Sequence, residues 1–466
     1  MTREPRTSPI IPAYGELSLA DLSASLLASL DERGGAGSAN VLGLPATRRA
    51  CLLVVDGMGW EQLRGHQAAA PFLSELAFNS RPLTCGFPAT TVTSLATVGT
   101  ALAPGEHGML GLRVAVPGEG RLLNGLHWPD DVDPASWQAK PTIFERARAA
   151  GITVHHVADG AYQATGLSRA ALRGATYRPA GYLGGLAAEA VAALQESEAA
   201  LVTAYTADLD GAGHHYGVSS PAWTYQLAHV DKLAEQIAAA LPMGAVLYVT
   251  ADHGMVNIGA DDRIDVDAIA QLREGVALLG GEPRARHVYA EPGAAADVLA
   301  AWQEVLGDRA WVASRDEAIK DGWFGPVDEA MRDRIGDVVA AAAGTWALMA
   351  SASEPGEPAM VGMHGSLTPA EQLVPLLAYL SRLPAASFSR GRAGLPDPGP
   401  GGEKGGGAGR GAGKGVAPMG GHCRGVDRGA PPRWGTQAAR RGYRPGWSRA
   451  ILAGWQTMTS SSALMS

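Results

Sequence analysis

Three aspartates and three histidines stand at the ends of apolar runs in this chain: Asp56 in LLVVDGMG, Asp210 and His214 in DLDGAGHHYG, Asp252 and His253 in VLYVTADHGM, and His364 in VGMHGS. Carboxylate oxygens are hard ligands and imidazole nitrogens borderline ones. Together they suit zinc, manganese or iron, and six such groups are enough for two ions. The set points to a two-metal hydrolase. Between the first two clusters runs TCGFPATTVTSLATVGTALAPGEHG, in which Pro88 restricts Phe87 before a helical pattern begins. Thr90, Thr91, Thr93 and Ser94 therefore lie near a helix start, where free N–H groups and the positive end of the dipole favour a bound phosphate and a developing alkoxide. Ser and Thr are also the preferred residues for capping such a helix. It is the six ligand-type side chains that favour a nucleophile over a cap.

The elements that must position these groups follow from the periodicities. Short apolar runs such as CLLVVD, TVHHVAD, ALVTAYT and AVLYVTAD alternate with Ala/Leu-rich helical segments such as SPAWTYQLAHVDKLAEQIAAAL. That alternation predicts an α/β fold with a mainly parallel central sheet flanked by helices. In such sheets ligands gather beyond the carboxyl ends of the strands, which is where Asp56, Asp210 and Asp252 fall. The stretch between His253 and His364, with GGEPRARHVYAE and WQEVLGDRAWVASRDE, reads as a smaller α+β insertion at about residues 262–350 that shapes the entrance. The catalytic body is expected over 1–384. After it, Gly, Pro and Arg replace the aliphatic pattern, and 385–466 reads as a disordered tail.

Composition narrows the classes. The chain has 466 residues, 46% of them hydrophobic, enough for one large α/β body. Twelve of the 38 Lys and Arg but only three of the 46 Asp and Glu lie from Ala385 onward, so the body carries about −17 and the tail about +9. An acidic body argues against nucleic-acid binding as its main work; only the basic tail offers that alternative, and apart from Phe388 it lacks interleaved aromatics before Trp434. A tail of GC-rich codons also reads as an out-of-frame extension without a selected role. Cys51, Cys85 and Cys423 are too few and scattered for a disulfide framework. MTREPRTSPIIPAYGELS has no apolar signal-type core, and neither Arg81–Gly105 nor Val338–Ser353 has membrane-spanning quality, so the expected location is cytoplasmic.

The motifs VVDGMG, FPATTVTSLATVGTALAPGEHG, LDGAGHHYG followed by VDKLAEQI, TADHGM and MHG occur in that order. From about Ala50 to Leu377 the chain resembles the alkaline phosphatase superfamily, in its type I phosphodiesterase/nucleotide pyrophosphatase branch. The resemblance implies that one divalent ion, zinc above manganese or iron, sits with Asp56, Thr91, Asp252 and His253, and a second with Asp210, His214 and His364. It also implies that Thr91, rather than Thr90, is the nucleophile. Thr91 would attack phosphorus in line, form a phosphothreonine and be released by water, acting on a small-molecule phosphodiester or pyrophosphate. Nucleotide-cleaving members carry an Asn three residues beyond the nucleophile to hold a phosphoryl oxygen. Here Ser94 stands in that place, with a hydroxyl that can donate one hydrogen bond over a shorter reach. Phosphomonoester and phosphonate hydrolysis use similar two-metal sites and stay open as alternatives. Sulfatase chemistry is disfavoured because TCGFPATT lacks the Arg of the C/S-x-P-x-R pattern.

Other polar residues read as structural. His107, His155, His156, His215 and His287 have no fixed spacing to the clusters. Asp208 reads equally as a carboxylate orienting His214 or a solvated loop residue. For Arg284 and Arg286 a surface ion pair is favoured over a phosphate contact.

Overall fold

The computed structural model describes residues 8–31 and 35–381. The tail at 385–466, with the disorder expected of it, lies outside the described residues, as does Cys423. The central sheet is built from five parallel strands, β1 (Arg49–Val55), β2 (Thr153–Ala158), β3 (Thr176–Pro179), β4 (Ala200–Thr206) and β5 (Val246–Thr250). With Leu377–Leu380 antiparallel on one edge, the order is Leu377–Leu380, β5, β1, β4, β2, β3. Strand β1 is the middle of this arrangement, and its residues Ala50 to Val55 are at most 2% exposed. A strand covered on both faces reads as a continuous apolar run, which is why ACLLVV shows no alternation. Each Leu or Val buried there contributes about 1.5–3 kcal/mol of transfer free energy. Helix Leu183–Gln195 packs on β1, β2 and β4 beside Pro221–Ala240, while Leu19–Leu30 packs on β1.

Register brings the chemistry to one end of the sheet. Val55 pairs with Thr206 and Val54 with Thr250, so the chain leaves β1, β4 and β5 at nearly the same level. Asp56 follows directly and its amide donates to the Thr206 carbonyl at 3.0 Å. Past β4 the chain turns into helix Asp208–Tyr216, and past β5 it reaches Asp252.

Residues 276–342 hold a second sheet of four antiparallel strands, β6 (Val276–Glu282), β7 (Ala285–Ala290), β8 (Ala310–Ser314) and β9 (Val338–Ala342), in the order β6, β7, β9, β8. Helix Ala295–Leu306 covers it, and Trp302, Leu306, Val298 and Val338 share a small core. The hairpin between β6 and β7 turns in two residues, Pro283 and Arg284. Among the described residues no helix is long and apolar enough to cross a membrane.

Candidate active site

Helix α1 (Thr91–Thr100) starts one residue after Thr90, whose extended backbone makes it the N-cap. Thr91 is thus the first helical residue. Its Oγ1 lies 3.4 Å from Asp56 Oδ2 and 3.3 Å from His253 Nε2. The helix α2 (Asp208–Tyr216) carries Asp210 and His214 one turn apart, so both face the same way, and their Oδ2 and Nε2 are 3.2 Å apart. Gly57 allows α2 to approach: its φ is +74°, and a Cβ there would sit 3.0 Å from the Asp210 Cα. His364 follows the short strand Gly362–Met363 and meets His214 with Nε2 atoms 3.2 Å apart. Its ring stacks on His253 at 3.6 Å between centroids.

The eight residues expected to form the site are therefore distributed as follows. Asp56, Asp252 and His253 offer ligand atoms within 4.8 Å of one another, as do Asp210, His253 and His364. Thr91 touches the first group and His214 the second. His253 belongs to both groups, so the two clusters are contiguous. Ser94 lies one turn into α1, fully buried, with an Oγ that has no hydrogen-bond partner among the described residues.

The ring nitrogens turned away from the cluster are bonded. His364 Nδ1 bonds the Ala89 carbonyl at 2.9 Å, His214 Nδ1 that of Gly362 at 2.8 Å and His253 Nδ1 that of Gly254 at 2.9 Å. Each Nε2 is thereby left facing inward, the arrangement typical of metal-ligating histidines. Asp252 Oδ1 accepts from the amides of Gly57 at 3.1 Å and His253 at 2.9 Å. The remaining oxygens, Asp56 Oδ1, Asp210 Oδ1 and Asp252 Oδ2, are buried without a hydrogen-bond partner among the described residues. Orphaned buried carboxylate oxygens opposite three imidazoles are the donor set a pair of divalent ions requires, and the residues fit.

Electrostatics agree. Burial, then the charges of Asp252 and Asp210, raises the Asp56 carboxyl well above its usual range, and burial raises Asp252. Burial would raise Asp210 too, but His214, His364 and His253 outweigh it and hold that carboxyl low. Burial would depress His214, but Asp210 overcomes it and raises the imidazole; burial and the adjacent His253 depress His364. Like charges confined without solvent favour a cation between them.

Several residues near the site carried no signal in the sequence. Tyr205, on β4, donates its hydroxyl to Asp56 Oδ2. Glu282, at the end of β6, accepts from Thr90 Oγ1 at 3.2 Å, and burial pushes its carboxyl up to about 8. Glu371 accepts from the Ser366 amide at 3.0 Å through its carboxylate and from the Gly254 amide at 2.8 Å through its carbonyl, joining the segments that bear His364 and His253.

Arg284 and Arg286 correct the expectation of surface ion pairs. Both are fully buried, Arg284 against Glu371 with contacts of 3.0 and 2.6 Å and Arg286 against Glu357 with contacts of 2.9 and 2.7 Å. Asp208 is exposed, and the His214 nitrogen it would have oriented is already bonded to Gly362. His107 bonds Thr97 Oγ1 and the Met109 amide, His156 bonds Thr203, and His287 bonds the Leu110 carbonyl and the Gly336 amide, all in the interior.

The family model for type I phosphodiesterase/nucleotide pyrophosphatase matches residues 50–367. No curated protein matches. Among solved structures, human ectonucleotide pyrophosphatase/phosphodiesterase 5 is similar at 20% identity and a TM-score of 0.59, covering 71% of this chain and 87% of that one. An inactive variant of the murine protein in complex with AMP gives 18% identity and 0.59 over 72% and 88%. Phosphonoacetate hydrolase from Sinorhizobium meliloti 1021 in complex with phosphonoformate gives 21% identity and 0.56 over 74% and 93%.

Proposed function

The chain belongs to the type I phosphodiesterase/nucleotide pyrophosphatase family, whose members are phosphoester hydrolases, and from that premise we propose that it cleaves phosphodiester or pyrophosphate bonds of a small molecule through a phosphothreonine at Thr91. The observation that carries the reading is Thr91 Oγ1, set at a helix start within 3.4 Å of a carboxylate and an imidazole of a six-ligand cluster.

In this reading Asp56, Thr91, Asp252 and His253 hold one divalent ion and Asp210, His214 and His364 the other. Zinc suits this mixture of nitrogen and oxygen donors, with manganese or iron as alternatives. Two such ions, when bound, supply Lewis acidity that lowers the pKa of a hydroxyl or water and offsets charge on phosphoryl oxygens. Thr91 gives up its proton, which ends on the departing oxygen by way of solvent, and the Thr91 oxygen attacks phosphorus in line. The bond to the leaving oxygen breaks, and that oxygen departs as an alcohol or phosphate. Asp56 and His253 fix the direction of the attacking lone pair, and Tyr205 in turn holds Asp56. In this reading the amides at the start of α1 would receive a phosphoryl oxygen, with the Ser94 hydroxyl as a further donor. Water then attacks from the opposite side, releases a phosphomonoester or phosphate, and returns the proton to Thr91.

Phosphonate hydrolysis is the second reading. It is supported by the likeness to phosphonoacetate hydrolase and by Ser94 standing where nucleotide-cleaving members carry Asn. The test is hydrolysis of bis(p-nitrophenyl) phosphate, p-nitrophenyl phosphate and phosphonoacetate by the zinc- or manganese-loaded protein beside Thr91→Ala. The expected result is diester cleavage that falls roughly 10³-fold or more in the variant. Monoester preference would move the assignment to a phosphatase, and phosphonoacetate cleavage alone to the second reading. Undiminished activity in Thr91→Ala would remove the nucleophile.

A further inference from the structure

We infer that Glu282 is a positioning residue for the nucleophile turn: it draws the Thr90 hydroxyl away from capping α1 and so leaves the first amides of that helix open to a phosphoryl oxygen. The inference rests on the phosphoester hydrolase reading of the site.

Thr at an N-cap normally accepts a hydrogen bond from the second or third helical amide. Thr90 has the extended backbone of an N-cap, φ −143° and ψ 150°, yet its side chain caps nothing. Its hydroxyl is turned instead to Glu282 Oε2, 3.2 Å away. Among the described residues no side chain caps the amides that a phosphoryl oxygen would use, and the first four amides of any helix have no partner within it. An occupied cap and an anion site at one helix start exclude each other, and Glu282 decides between them.

Glu282 is held where this requires. It ends β6 at a two-residue hairpin, is 5% exposed, and its neighbour Arg284 is fixed by Glu371. A Cβ on Gly365 would come within 3.2 Å of Glu282 Cγ and Cδ, so the side chain lies on the backbone that follows His364. The Ala89 amide donates to the Gly365 carbonyl at 2.9 Å, and His364 Nδ1 bonds the Ala89 carbonyl at 2.9 Å. One carboxylate thus braces both the residue before the nucleophile and the turn after a candidate ligand. Its Oε1 is buried with no hydrogen-bond partner among the described residues, and an unsatisfied buried polar atom is costly. If only packing were needed here, an apolar side chain would serve at lower cost.

The test is a double-mutant cycle in the full, zinc-loaded chain, using Glu282→Ala, Thr90→Val and the pair, beside the conservative Glu282→Gln and Thr90→Ser. Turnover of bis(p-nitrophenyl) phosphate is measured together with inorganic phosphate affinity by calorimetry and melting temperature. The expected result is a loss of about 10–100-fold in kcat/KM for Glu282→Ala, the range for residues that orient catalytic groups through others, and little loss for Thr90→Val, which has no hydroxyl left to cap the helix. The pair should recover toward Thr90→Val, because without the Thr90 hydroxyl the loss of Glu282 releases no cap, and Glu282→Gln, which keeps an acceptor oxygen, should retain most of the activity. Phosphate affinity should weaken in Glu282→Ala and not in Glu282→Gln. Additive losses, or a Glu282→Gln as impaired as Glu282→Ala, would overturn the inference. Phosphate affinity equal in Glu282→Ala and wild type would also overturn it, and that comparison holds even if no ester is turned over, an outcome that would count against the hydrolase reading itself.

Discussion

At the residue scale the site is a problem of unequal protonation in a dry place. Asp56 and Asp252 are pushed up by burial while histidines hold Asp210 down, so the cluster has no protonation state in which every group is at ease without a cation. The buried histidines outside it pose a simpler case. His156 on β2 bonds Thr203 at 2.8 Å, and burial depresses it to about 4. An unfolded imidazole titrates near 6.5, so between these values the unfolded chain binds a proton that the folded chain refuses. The stability contributed by neutral His156 is complete above about pH 6.5 and is lost as pH falls toward about 4. Wild type should therefore lose about 2 kcal/mol more than His156→Gln between pH 7 and pH 5, measured by urea unfolding at both pH values. An equal loss in the two would show that the depressed imidazole is not the cause.

At the element scale, fastening matters more than burial. Arg284, at the hairpin between β6 and β7, pairs with Glu371, whose carboxylate and carbonyl also hold Ser366 and Gly254. Removing one partner of a buried pair leaves the other charge unsatisfied, at a cost of about 3–5 kcal/mol, whereas replacing both by apolar residues is often neutral. Arg284→Met should lower the melting temperature sharply, and Arg284→Met with Glu371→Met should recover much of it; no recovery would mean the pair is needed for its hydrogen bonds to the loops. This fastening was hidden in the sequence. The runs LLVV, ALVTAYT and VLYVT announce a parallel sheet, and each acidic residue after them announces a site, because apolar continuity and strand ends are local signals. Glu282, Tyr205 and Glu371 are not local in that sense. Glu282 reaches Thr90 across 192 positions, and an Arg beside it, in EPRARH, gives no hint that the whole hairpin is interior. Charged residues are rarely buried, so the default for Arg284 and Arg286 was the surface, and a pairing partner far along the chain overrode it.

At the scale of the whole molecule, a divalent ion held in the dry carboxylate cluster would make metal and fold stabilise each other. A ligand that binds the native state alone adds RT ln(1 + [L]/Kd), about 2.7 kcal/mol at a hundred times Kd. Chelation should abolish hydrolysis and lower the melting temperature together, and zinc should raise that temperature steadily with concentration. A melting temperature indifferent to zinc would mean that the six side chains do not bind it. The Arg284–Glu371 pair has one more consequence, which concerns descent rather than stability. If either change alone is costly and both together are tolerated, drift at these two positions has to cross a valley, and lineages should hold both charges or neither. Among relatives of this chain, residues 284 and 371 should change hands as a couple, and the loops bearing His253 and His364 inherit their fixity from that constraint.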